Sequence, residues 1–362
     1  KLEKLQRDLV KKNGFTWAKN IYWGNLKSPF KGHNPDWTAQ AALEFIEEHK
    51  DQPFYLHCCS TLLHGPNGEW FKSMMEKELA TGEGFLKKPL NLIDRKSVWE
   101  RIQKAGLTES EVGYLWMDDS LGLILDKLDK LGIADNTIVL FVSDHGSERK
   151  GSLIKTRGTE IPCLIRWPKV IKPGSVSHGL LQNTDFVPTW FELAKAKIPK
   201  GYHMDGKSLI PMFEDPSISV REFIYAEQGA ARAIKTDTLE FLSIRYTDEQ
   251  IAMAQSKRSD RTYKTLLGLS SGISRARYFH PDIFSADQLY DLSKDPDSQN
   301  NLATDPRYAG QLKKMKNMLT KTVKNLGSRP YGDFVQGKGT SDAEASQKVL
   351  DQLAAYHAKE NK

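Results

Sequence analysis

No run of apolar residues in this chain approaches the roughly 18 that a membrane-spanning helix requires, so no membrane span is expected. Zinc-finger spacing, RNP-like aromatic motifs and basic-region helices are also missing, which removes nucleic acid from the expected partners. The net charge of +6 instead favours smaller or more diffuse anions through long-range steering. Cysteine is scarce: Cys58, Cys59 and Cys163 are the only three among 362 residues. The adjacent pair sits in the apolar run FYLHCCS and reads as buried core thiols rather than a disulfide or metal pair, so the redox compartment is not legible. The opening KLEKLQRDLVKKNG has neither a methionine nor the apolar core of a signal peptide, the look of a processed or truncated chain. No internal repeat is visible.

What is present is an alternation of helix and strand signals. DWTAQAALEFIEEHK (36–50) predicts an amphipathic helix capped by Asp36, and DQPFYLHCCS a buried strand after it. The Gly-Pro and Asn-Gly dipeptides of TLLHGPNGEW mark a loop. Thr108 and Glu111 form a capping box for a helix with Leu121, Leu125 and Leu128 on one stripe, ended by Gly132. The unbroken apolar run of 137–143 suits a parallel strand covered on both faces, and IPCLIRW (161–167) is a further strand before the helix of TDFVPTWFELAK. After residue 215 come a strand, a hairpin turning at Asp237, a short strand in QLYDLSKDP, and a helix with Pro306 in its first turn. The pattern is an α/β sheet flanked by helices, followed by a small antiparallel sheet with a packed helix.

Ligand sites in such folds lie beyond the carboxyl ends of strands, where His64 and the pair Asp144, His145 fall. Asp-His-Gly offers an oxygen and a nitrogen to one cation if the backbone turns at Gly146; taken alone it also reads as a strand-terminal turn. His64 has the pKa range of a general acid or base, and Lys150 can meet an anionic oxygen as a point charge. Singly, each also reads as an ordinary surface residue.

Taken in order, six blocks between about residues 37 and 310 resemble the type I sulfatases of the alkaline-phosphatase-like superfamily. They are QPFYLHCCSTLLHGP, YLWMDDSLGLILDKLDKLGIADNTIVLFVSDHG, KGSLIKTRGTEIPCLIRWPKVIKPG, LLQNTDFVPTWFELA, MDGKSLIPMF and QLYDLSKDPDSQNNLATDP. The resemblance implies a mostly parallel sheet flanked by helices and a sulfuric ester hydrolase. Asp144 and His145 would bind a divalent cation, calcium in most of the family, His64 would protonate the leaving alcohol, and Lys150 would neutralise a sulfate oxygen. His145 stands where many members have asparagine, which leaves manganese or zinc open. Ile154 and Lys155 replace the family's Tyr-Glu, and one residue is inserted before Pro162.

The family's nucleophile is a formylglycine made from a Cys/Ser-x-Pro-x-Arg motif, with an Asp-Asp metal pair nearby. The motif is not in this sequence, nor is the N-terminal region that would carry that Asp-Asp pair. The expectation is a chain cut off upstream of Lys1 and inactive by itself: a truncated catalytic domain over 1–215, a C-terminal subdomain over 216–336, and a linker with an exposed helical tail over 337–362. The substrate would be a sulfated small molecule or polysaccharide, and the location periplasmic or extracellular. A phosphodiester or phosphonate monoester hydrolase, and a non-catalytic fragment binding sulfated glycans, are the alternatives.

Overall fold

The computed structural model describes residues 2–22, 32–76, 79–88, 90–146, 153, 158–202, 204–228, 231–245, 280 and 282–326, and the backbone of 334–335 and 339–340. The chain divides into two compact units, Lys1–Ile138 with Trp167–Lys169, and Val139–Arg166 with Val170–Lys362.

The first unit is mainly helical. After α1 (Leu2–Lys12) comes α2 (Pro35–His49). Pro35 occupies the first helical position, where a missing N–H costs nothing. Asp36 is therefore not the expected cap but lies inside the first turn, fully buried, with its carboxylate 3.5 Å from Arg95. Then follow α3 (Gly68–Met75), a hairpin of β1 (Leu79–Thr81) and β2 (Gly84–Leu86), α4 (Arg95–Lys104) and α5 (Val112–Lys130). The capping box of α5 forms as read: Thr108 Oγ1 accepts from the backbone of Ser110, and Glu111 accepts from the Thr108 backbone at 2.7 Å. Gly132 (φ 67°) ends that helix in the left-handed region that glycine tolerates. Leu62, Trp70, Met74, Val98, Ile102, Val112 and Trp116 make the core between these elements.

The run QPFYLHCC does not form the buried strand expected of it. Phe54 reaches Phe45 of α2, edge to face at 5.7 Å, but Tyr55 is 59% exposed and both Cys58 and Cys59 are exposed. An extended segment becomes a strand only when a neighbour meets its N–H and C=O groups, and among the described residues no strand pairs with it. The two thiols differ. A hydrogen bond from His57 draws the Cys59 pKa down, whereas crowding by protein atoms pushes Cys58 up to about 11.

In the second unit, β3 (Val139–Val142) pairs with β4 (Cys163–Arg166) from Val139↔Arg166 to Val142↔Cys163. This ladder is antiparallel and partly buried, whereas the apolar run suggested a parallel strand covered on both faces; periodicity alone carries no strand direction. Next come α6 (Phe186–Leu193) and α7 (Ile210–Glu214). Their connection turns on buried Asp185, whose carboxylate accepts from the backbone N–H groups of Gln182 and Lys207, both at 2.8 Å, and pairs with Arg221. Thr189 Oγ1 donates to the Asp185 carbonyl and accepts from Leu209 N–H. Gly206 is required by this crowding, since a Cβ there would lie 2.0 Å from the Thr184 carbonyl oxygen.

The antiparallel sheet β5 (Ile224–Gln228), β6 (Ala231–Lys235), β7 (Leu239–Ile244) and β8 (Asp287–Asp291) has its strands in chain order. Side chains alternate across it. Ala231, Ala233, Leu242, Ile244 and Tyr290 face Leu153 and Ile283. Ile234, Phe241 and Leu289 face Met315 and Leu319 of α8 (Ala309–Asn325). Burying those two helical side chains contributes roughly 2 kcal/mol each. Among the described residues no helix is long and apolar enough to cross a membrane.

Candidate functional site

His64 stands on the loop before α3. The backbone of that loop is held at its own residue: His64 N–H donates to the Thr61 carbonyl at 3.0 Å, and the buried Trp70 indole donates to the His64 carbonyl at 3.0 Å. Gly113 of α5 lies beneath that indole, where a Cβ would come within 2.5 Å of the ring. The imidazole is exposed, and its Nδ1 donates to the Gly65 carbonyl at 3.0 Å, which leaves Nε2 as the nitrogen open to a substrate.

His33 was not singled out by sequence. It is buried, with Nδ1 3.1 Å from Thr61 Oγ1, so it braces the loop that carries His64. Burial first, then the nearby His64, pushes its pKa down to about 4, with Glu69 opposing. The only local sign of it was a histidine directly ahead of the Asn-Pro start of α2.

That shift has a stability consequence. Below pH 6.5 an unfolded chain takes up a proton that folded His33 refuses, so stability rises with pH between about 4 and 6.5 and is lost as pH falls through that window. Urea unfolding of the native chain should show about 2–3 kcal/mol lost between pH 7 and pH 4.5. A His33→Gln variant should lack that part of the pH dependence; equal slopes in both proteins would refute the assignment.

Asp144 and His145 follow β3 directly, where the ladder ends and Ser143 Oγ donates to the His145 carbonyl. Asp144 is 83% exposed and its Oδ2 lies 3.3 Å from His145 Nε2. Nδ1 of His145 is held by the Gly146 carbonyl at 2.7 Å, so Nε2 faces the carboxylate with its lone pair. The oxygen and nitrogen converge as two donors to one cation would, a mixed pair that suits manganese or zinc better than calcium, whose ligands are oxygens. Among the described residues no third His, Cys, Asp or Glu completes a cluster. His64 belongs to the first unit and this pair to the second; Lys150 lies outside the described residues.

The segment after Asp-His-Gly is tied down at described points. Gly146 N–H donates to the Gly158 carbonyl at 3.1 Å, Leu153 is buried against Ala231 and Ala233, and Thr159 Oγ1 accepts from Lys235 Nζ at 2.5 Å. Lys235 is 2% exposed and pairs at 2.8 Å with Glu240, which is fully buried and accepts from Ser298 Oγ at 2.6 Å. Sequence offered no sign of this network, because its members are 76 and 58 residues apart.

A family model described as Sulfatase matches residues 6–196, just over half of the chain. The chain is 32% identical over 217 residues to an ulvan-active sulfatase of Formosa agariphila, an alignment covering 58% of this chain and 41% of that protein. It is 27% identical over 217 residues to an N-acetylglucosamine-6-O-sulfatase of Bacteroides thetaiotaomicron, covering 58% and 34%. The chain thus spans less than half the length of these curated relatives. Among solved structures it resembles a Bacteroides thetaiotaomicron protein from work on the metabolism of multiple glycosaminoglycans, with TM-score 0.55, 22% identity, and coverage of 80% of this chain and 55% of that one. It also resembles Ps i-CgsB in complex with k-i-k-neocarrahexaose, with TM-score 0.53, 16% identity, and coverage of 98% and 68%. At these identities the likeness is one of fold, and the class is the α/β, alkaline-phosphatase-like one.

Proposed function

The chain belongs to the sulfatase family, and we propose that it forms part of a hydrolase that removes sulfate from a polysaccharide. The observation that carries this reading is the family match itself, because residues 6–196 include His64, Asp144, His145 and Lys150 together. The relatives named for ulvan and N-acetylglucosamine, and a neighbour bound to a neocarrahexaose, favour a polysaccharide over a small aryl sulfate. A polysaccharide substrate in turn favours a periplasmic or extracellular location.

In this reading Asp144 and His145 hold a divalent cation, manganese or zinc by donor type, with calcium as the alternative. The cation supplies charge withdrawal from sulfate oxygens, and a formylglycine on a segment outside these 362 residues supplies the nucleophile. His64 acts as the imidazolium: Nδ1 keeps its hydrogen bond to the Gly65 carbonyl while Nε2 gives its proton to the departing alkoxide oxygen, leaving the neutral ring. The Lys150 ammonium faces a sulfate oxygen and offsets the charge that builds there. The exposed run Tyr55–Cys59 supports a further segment, since no strand pairs with it among the described residues and an added strand suits it.

The test is desulfation of a sulfated polysaccharide by the intact parent protein and its variants. His64→Ala should lower kcat about 100- to 10,000-fold, and Lys150→Ala should also lower turnover. Near-native rates in both would show that the roles rest on other residues. A parent lacking both a Cys/Ser-x-Pro-x-Arg motif and any sulfate release would overturn the function.

A further inference from the structure

Helix α8 has five lysines and no carboxylate in 17 residues. Its inward face is set by Met315 and Leu319, fully buried against the sheet, with Leu312, Met318 and Val323 packed beside them. The outward face is left to Lys313, Lys314, Asn317, Lys321 and Lys324, all exposed. Lys314 and Lys321 are two turns apart, about 10 Å along the axis, and Lys313 and Lys324 about 17 Å. Lys316 is already engaged, since it pairs with Asp287, which also binds Arg245. The four outer lysines make no ion pair among the described residues.

Beside the helix's first turns is an open, shallow depression lined by Thr304, Asp305, Pro306, Leu312, Lys313 and Asn317 among others. It combines an apolar floor with a hydroxyl, an amide and an ammonium, the mixture that a small-molecule site uses for shape and orientation. Asp305 at its edge is held by Arg307 through a 2.6 Å ion pair, so its charge does not stand alone there.

We propose that the outer face of α8 is a docking surface for a sulfated polysaccharide, one sugar ring seated in the depression and successive sulfates met by Lys314, Lys321 and Lys324. The charge complementarity selects the occupant: a row of point cations spread over three turns matches a chain that repeats its anions, and a single anion would use only one of them. The proposal rests on the polysaccharide reading above for its ligand. It uses none of the residues given roles in sulfate release.

The test is titration calorimetry on the 362-residue chain with carrageenan, chemically desulfated carrageenan and double-stranded DNA as probes. Carrageenan should bind, with affinity falling as salt rises, and the other two should bind at least about tenfold more weakly. The variant Lys313→Gln/Lys314→Gln/Lys321→Gln/Lys324→Gln should lose about tenfold in affinity with an unchanged thermal unfolding curve. Lys195→Gln/Lys197→Gln/Lys200→Gln, on another exposed basic stretch, should bind like the native chain. Asn317→Trp, which fills the depression without changing charge, should also weaken binding. Equal affinity in the quadruple and native proteins, equal loss in the control triple, or equal binding of DNA and carrageenan would each overturn the proposal. Because no turnover is measured, loss of α8 binding beside an active parent defeats this surface alone, and α8 binding beside an inactive parent defeats only the enzymatic reading.

Discussion

Lys235→Met should destabilise the second unit by about 3–5 kcal/mol. The substitution removes the Lys235 ammonium from Glu240 in a place with no solvent access, and the Ser298 hydroxyl is a weak substitute. The same change removes the hydrogen bond from Lys235 to Thr159. Restoring neutrality should matter more than restoring the salt bridge: Lys235→Met/Glu240→Leu should recover most of the loss, because apolar side chains of similar volume replace a buried ion pair at little cost. Thermal unfolding gives the readout, with a fall of roughly 10 °C for the single variant. A single variant as stable as the native protein, or a double variant no better than the single, would refute this account of the network.

Asp185→Ala is expected to be of the same size, about 3–5 kcal/mol, for a different reason. Here one carboxylate organises the backbone: two N–H groups from separate segments and the Arg221 guanidinium all end on it. Its removal leaves those donors in a buried pocket with nothing to accept them, and each unmet donor costs about 1–3 kcal/mol. Asp185→Asn should cost less, because the amide oxygen can still accept. Denaturant unfolding of both variants separates the cases; an Asn variant as damaged as the Ala variant would show that the net charge and not the accepting geometry is what counts.

Features written in short-range residues were legible in the sequence. The Thr108 and Glu111 box, the glycine stop at Gly132, the hairpin around Asp237 and the Pro306 turn that leads into α8, one turn earlier than the helix proper, each depend on residues within four positions of one another. The adjacent Asp144 and His145 could be picked out for the same reason, and their convergence at 3.3 Å follows from the tight turn after β3. His33 could not be found, since its role comes from Thr61, 28 residues away. The direction of β3 against β4 escaped because an apolar run has no direction, and the strand expected at 52–60 failed because pairing belongs to two segments, not one. Asp36 misled through Pro35: a good capping residue one place too late becomes a buried first-turn carboxylate.

The open run from Tyr55 to Cys59 carries a cost for the chain in solution. A stretch with aromatic and thiol side chains on view, and with no strand paired to it among the described residues, is a template on which a second copy can lay the same stretch. No aspartate, glutamate, lysine, arginine or proline falls within Phe54 to Ser60 to discourage such stacking. Self-association through this stretch is thus the expected hazard of leaving it open, and colloidal behaviour is a direct gauge of it.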